Sequence, residues 1–166
     1  MFVLGIDPGV SRCGYGCAQR ERNTYRAIAA GVITTPPADP LPGRLATLLR
    51  ELRALIVELK PDVVVVERVF FQTNVRTAMS VGQASGLALA VAAEAGCEVA
   101  QYTSNEVKQA VAGYGAATKE QVQRMVQSLL SLPERPKPAD AADALALALA
   151  HLTIAPRLAR IAGAAR

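Results

Sequence analysis

The chain is expected to fold as one α/β domain, a mixed five-stranded sheet flanked by helices on both faces. Three observations carry this expectation. Val63–Val66 is a run of four valines, which suits a central strand covered on both sides. The first 35 residues hold three strand-like runs separated by turns, the pattern of an antiparallel meander. From Arg44 to Leu59, apolar residues instead recur at 45, 48, 49, 52, 55, 56 and 59, the period of an amphipathic helix.

Phe2–Ile6 reads as the first buried strand, and Asp7-Pro8-Gly9 as the turn that ends it. The second strand lies near Cys13–Gln19. Gly14 and Gly16 within it permit close approach of another backbone or a ligand. The third runs from about Tyr25 to Thr35, and residues 36–42 form a proline-rich loop before the first helix. Pro61 ends that helix, and the valine strand follows with Glu67 at its carboxyl end.

A polar segment, Arg68–Arg76, leads into a helix over about Thr77–Ala95, and Glu98–Tyr102 is the fifth strand. Thr103-Ser104-Asn105-Glu106 and Thr118-Lys119-Glu120-Gln121 each match a capping box and open a helix. Gly113 and Gly115 separate these two helices. After Pro133–Pro138, a last helix carrying Asp140 and Asp143 is expected to run to about His151, which would cap its end. Residues 1–156 form the domain, and 157–166 a basic, Ala-rich tail expected to fray.

Composition narrows the function. At 166 residues, 51% apolar and 19% charged, the chain can bury one core and is not disordered. The net charge of +4 points to nucleic acid only if the basic groups gather at a site. The N-terminal apolar run stops at Asp7, so no secretory signal is expected. The uncharged stretch Thr77–Ala93 is too short and too polar for a membrane span. Three cysteines give no disulfide framework and fit a reducing, cytoplasmic setting. With one histidine and no Cys-x-x-Cys, Cys13 and Cys17 read as buried apolar side chains.

The chemistry rests on four acids. In open sheets of this kind, sites form beyond the carboxyl ends of strands, where Asp7 and Glu67 both stand. Asp140 and Asp143, three residues apart, project from one face of a helix. Four carboxylates brought to one point would repel strongly and would need divalent cations. That combination suits two-metal phosphodiester chemistry.

The residues also resemble a family. Gly5-Ile6-Asp7-Pro8-Gly9, Glu67-Arg68-Val69-Phe70 followed by Gly82-Gln83-Ala84, Glu106-Val107-Lys108-Gln109 with Gly113–Gly115, Lys119-Glu120-Gln121-Val122 and Pro138–Ala148 are similar, in order, to the motifs of the bacterial RuvC Holliday-junction resolvases. These belong to the ribonuclease H-like superfamily. The resemblance spans residues 1 to about 156. It implies that Asp7, Glu67, Asp140 and Asp143 bind two Mg²⁺ per subunit, with Mn²⁺ as a substitute. It implies that Lys108 and Lys119 lie beside the scissile DNA, with Lys119 also stabilising transition-state charge and so counted with the catalytic residues. Phe70 would stack on an unpaired base at the junction centre. Gln72, Asn74 and Arg76 are candidate phosphate contacts.

The implied activity is metal-dependent resolution of four-way junctions by paired symmetric nicks, in homologous recombination and repair. The implied partners are the junction DNA, a second copy of the chain and the RuvA–RuvB branch-migration complex, in the bacterial cytoplasm. The uncharged Thr77–Ala93 helix supports the homodimer independently, since Gly82 and Gly86 would let a second helix approach closely.

Three other readings compete with this one. A sugar-kinase or actin-like ATPase shares this core but needs a second domain and phosphate loops for which 166 residues leave no room. A non-catalytic junction binder has no reason to retain all four acids. A related nuclease acting on another branched nucleic acid is the nearer alternative, because junction selectivity rests on the dimer and the Phe70 segment rather than on the metal chemistry.

Overall fold

The structure is a computed structural model that describes residues 1–22, 24–68 and 75–164, with backbone alone for 76 and 157–164. Five strands form one sheet: β1 (Phe2–Asp7), β2 (Arg12–Glu21), β3 (Thr24–Thr34), β4 (Val63–Glu67) and β5 (Glu98–Tyr102). Their spatial order is β3-β2-β1-β4-β5. The first three make the expected antiparallel meander, and β4 and β5 run parallel to β1.

Helices cover both faces, as the valine run requires. On one side lie α1 (Leu41–Leu59) and α2 (Val75–Glu94), on the other α3 (Ser104–Ala112), α4 (Lys119–Leu129) and α5 (Ala139–Ala164). Strand alternation divides the valines between two cores. Val64 and Val66 join Leu48, Leu52 and Ile56 of α1, while Val63 and Val65 join Leu145, Leu149 and Leu152 of α5. Cys13 and Cys17 are fully buried in the α1–α2 core, and burial pushes both thiols up to about 12, so they remain neutral packing groups.

Both expected capping boxes are formed. The Thr103 hydroxyl accepts from the Glu106 amide at 3.2 Å while Glu106 accepts from the Thr103 amide at 2.7 Å. Thr118 and Gln121 repeat the arrangement at the start of α4. Gly113 ends α3 with φ +86°, a conformation that favours glycine.

Two helix boundaries differ from expectation. Helix α1 begins at Leu41, before Arg44, because Pro42 sits in the first turn, where a missing N–H costs nothing. Helix α5 does not stop near His151 but continues through Pro156 to Ala164. A proline removes only one ladder bond, and the alanines, leucine and arginines beyond it favour helix. The stretch Ala139–Pro156 has the length and hydropathy of a membrane span, yet 61% of it is buried, as befits a core helix.

His151 is therefore not a helix cap. It is buried mid-helix, with Nδ1 3.0 Å from the Tyr102 hydroxyl of β5 and no partner for Nε2 among the described residues. Burial lowers its pKa and keeps the ring neutral. Tyr102→Phe would leave both ring nitrogens unpaired, with an expected cost of about 1–3 kcal/mol. A lowered unfolding midpoint checks this; an unchanged midpoint would mean that the hydroxyl contributes nothing.

Helix α2 buries Ala84, Ala88, Val91 and Ala92 against the sheet side. Its opposite stripe is open. Val75 and Met79 are exposed, and a side chain added at Gly82 or Gly86 would meet nothing within 4 Å.

Candidate active site

The site is set by strand alternation. On β1, Val3 faces the α5 core and Leu4 and Ile6 face the other, so Gly5 and Asp7 project toward α5. On β4, Val63 and Val65 share that side, and Glu67 continues their row. β1 and β4 are adjacent and parallel, so both acids leave the sheet at the same end.

The second pair of acids is delivered by a floor of glycines. A Cβ at Gly5 would collide with the Ala144 carbonyl of α5, one at Gly14 with the Asp140 carbonyl, and one at Gly16 would lie 2.6 Å from the Leu145 amide. Helix α5 thus lies directly on the backbone of β1 and β2. The close approach expected at Gly14 and Gly16 is made by another backbone. It brings the first turn of α5, with Asp140 and Asp143, down beside Asp7, which pairs with Gly14 across the sheet.

The turn after Asp7 is braced from behind. Thr35 donates through its hydroxyl to the Val10 carbonyl at 2.6 Å, and Arg44 donates to the Thr35 and Ser11 hydroxyls at 3.0 and 2.5 Å. Thr35 is buried, so its bond to Val10 is shielded from water.

A cleft of about 250 Å³ opens above Asp7, Glu67 and Asp143, walled by Lys108 of α3 and Lys119 of α4. Its apolar lining is Val107, Val122, Ala146 and Leu147. Lys119 Nζ donates to Asp143 Oδ2 at 2.5 Å. That bond raises the lysine pKa, so the ammonium is secure. Asp140 stands at the rim, where Arg12 donates to its Oδ2 through Nε at 3.0 Å and a terminal nitrogen at 2.7 Å.

Electrostatically the centre is short of positive charge. Asp7 is pushed up to about 7, first by burial and then by Glu67, Asp143 and Asp140, against an opposing pull from Lys119. Glu67 is raised by burial and by Asp143, with Lys119 and Lys108 opposing. Among the described residues, no three acids converge closely enough to hold one ion as they stand. Two of the four are engaged by Arg12 and Lys119. The donor set itself is all carboxylate oxygen, the kind that hard divalent cations take. Cations there would offset the repulsion and the cost of buried charge that raise both Asp7 and Glu67. On that chemistry the residues fit a divalent metal site.

Of the other residues singled out from sequence, Phe70, Gln72 and Asn74 lie outside the described residues, and Arg76 is described by backbone alone, in the first turn of α2. Arg12 was not singled out. The signal was present, since residues 12, 14 and 16 share one face of β2 and the two glycines mark that face as the one α5 covers.

Comparison with known proteins agrees with this geometry. The family model described as crossover junction endodeoxyribonuclease RuvC matches residues 3–151. A Syntrophomonas wolfei protein of that name is 52% identical over 152 residues, covering 92% of this chain and 88% of its own. One from Moorella thermoacetica is 51% identical over 156 residues, covering 94% and 93%. The structure of Thermus thermophilus RuvC in complex with Holliday junction substrate superposes with a TM-score of 0.89 at 38% identity, over 93% of this chain and 94% of that one. The yeast mitochondrial resolvase Ydc2, at 17% identity and a TM-score of 0.67, shares the fold.

Proposed function

Because the chain belongs to the RuvC family of crossover junction endodeoxyribonucleases, with its ribonuclease H-like fold, we propose that it is a divalent-metal-dependent nuclease that resolves four-way DNA junctions. The observation that carries this reading is the acid cleft at the ends of β1 and β4, under the first turn of α5 and flanked by two lysines. Asp7, Glu67, Asp140 and Asp143 would hold two Mg²⁺ ions per subunit, or Mn²⁺ in their place. When bound, such ions activate the attacking water and neutralise charge on the departing 3′ oxygen.

The chain's own groups do the rest. The braced turn and the glycine floor fix the carboxylates in advance. The apolar walls limit water and strengthen each charge interaction within the cleft. Lys108 and Lys119 set positive charge where a phosphodiester would enter, and Lys119, held by Asp143, is positioned to meet charge developing in the transition state. Lys119→Ala is expected to slow cleavage about 100-fold while weakening junction affinity less than about threefold. Equal losses in both would make it a phosphate contact only.

Phe70 is read as the residue that stacks on an unpaired base, with Gln72, Asn74 and Arg76 on phosphates. The support is their position in sequence between Glu67, in the cleft, and the open stripe of α2. Phe70→Ala should impair resolution without changing metal affinity, and full activity in that variant would discard the stacking role. The same stripe of Val75, Met79, Gly82 and Gly86 supports an isologous homodimer, which could place two clefts for paired symmetric nicks. Sedimentation of the purified chain as a monomer at micromolar concentration would exclude it. Work alongside the RuvA–RuvB motor in the bacterial cytoplasm is proposed on the family resemblance alone, and co-purification with that motor tests it.

Substrate choice is tested by competitive binding in metal-free buffer, with a four-way junction against linear duplex of the same sequence. The expected preference for the junction is at least about tenfold, or 1.4 kcal/mol, with affinity falling steeply as salt rises. Equal affinities would favour a nuclease acting on another branched or unbranched nucleic acid.

A further inference from the structure

Arg12 stands apart from the acids and lysines assigned above, and its place is fixed by the backbone. Cys13 and Cys17 point into the α1–α2 core, Gly14 and Gly16 face α5, and Arg12 therefore faces α5 too, beneath its first turn. There its guanidinium donates twice to the same carboxylate oxygen of Asp140, at 3.0 and 2.7 Å. The arginine side chain is half exposed and the carboxylate 29% exposed, so the pair lies at the open rim of the cleft, within reach of ions from solution. An oxygen that already accepts two N–H bonds from a fixed positive charge cannot offer the same lone pairs to a hard cation.

We propose that Arg12 is a built-in counter-ion for Asp140, holding that carboxylate in the metal-free protein and yielding it when a divalent cation binds, so that Arg12 and metal are antagonists. This rests on the reading of the four acids as a metal site. Arg12 is a positioning residue in this role, acting on the metal only through Asp140. The consequence is a site tuned to release metal more readily than four unpaired acids would. The bond is partly exposed, which sets the size of the effect at the scale of an ordinary surface ion pair.

The test is a Mn²⁺ titration of the DNA-free protein, with free Mn²⁺ read by electron paramagnetic resonance. Arg12→Gln is expected to bind Mn²⁺ about two- to fivefold more tightly than the unsubstituted protein. Arg12→Lys, which keeps the charge but loses the fork, should fall between them. Arg53→Gln removes an equal charge from the remote α1–α2 pair with Glu94 and should change nothing. In an Asp140→Asn background, Arg12→Gln should have almost no effect, because the partner through which it acts is gone.

Unchanged or weaker Mn²⁺ binding in Arg12→Gln, with normal binding in the unsubstituted chain, overturns the proposal alone. A gain of the same size in the Asp140→Asn background also overturns it, since long-range charge would then suffice. No Mn²⁺ binding by the unsubstituted chain would overturn the metal reading and this inference with it.

Discussion

Asp7→Asn is expected to reduce junction cleavage at least about a thousandfold, the scale of losing roughly 4 kcal/mol of transition-state stabilisation. Junction affinity should stay within about threefold, because in the proposed mechanism binding rests on phosphate contacts and cutting on the acids. The same change should make the metal-free protein more tolerant of alkaline pH. Asp7 is raised from 3.8 to about 7 by burial and by the neighbouring acids. A carboxyl with a raised folded pKa favours its protonated form. Its contribution to stability is fully present below the unfolded value near 4 and is lost as pH rises through about 7. Asparagine is neutral throughout and escapes that loss. In chelator, the unfolding midpoint of the unsubstituted chain should therefore fall more between about pH 5 and pH 8 than that of the variant. Parallel pH profiles would show that Asp7 is not the strained group, and equal loss of binding and cutting would make it a support of the fold.

Gly5→Ala should be the most damaging change that touches no charged group. An added Cβ would run into the Ala144 carbonyl, with the Ala148 amide at 2.9 Å and the Ala144 carbonyl carbon at 3.1 Å. All three are backbone of α5, so no side chain can swing aside. The helix must lift from the sheet, at an expected cost of about 1–3 kcal/mol. Lifting α5 also carries Asp140 and Asp143 away from Asp7, so cleavage should fall by more than the folded fraction does. Gly43→Ala, where a Cβ would meet nothing within 4 Å, is the control and should leave both stability and cleavage near their starting values. If Gly5→Ala cleaves in proportion to its folded fraction, the helix is not held in place by that contact.

Much of the fold was legible because its signals are local. Four valines can only be a covered strand, and a threonine followed three residues later by Glu106 or Gln121 satisfies a helix start from within one turn. Strand-end carboxylates could be placed because sheet topology constrains where strands end. What sequence did not disclose depended on partners distant in the chain. Pro156 reads locally as a stop, but the helix around it continues. His151 reads as a cap until Tyr102, 49 residues earlier, is seen beside its ring. Arg12 and Asp140 meet across 128 residues, and only the glycines between β2 and α5 hint at it. The same long-range pairing sets Asp140 at the rim of the cleft, held by Arg12.

The central claim is tested most directly by incubating the purified chain with a synthetic four-way junction, and with linear duplex of the same sequence, in Mg²⁺ and in chelator. Symmetric nicks on two strands of the junction, in Mg²⁺ only and with the duplex intact, are the expected result. Tight junction binding with no product in either Mg²⁺ or Mn²⁺ would contradict it and leave a binder whose acids serve another purpose.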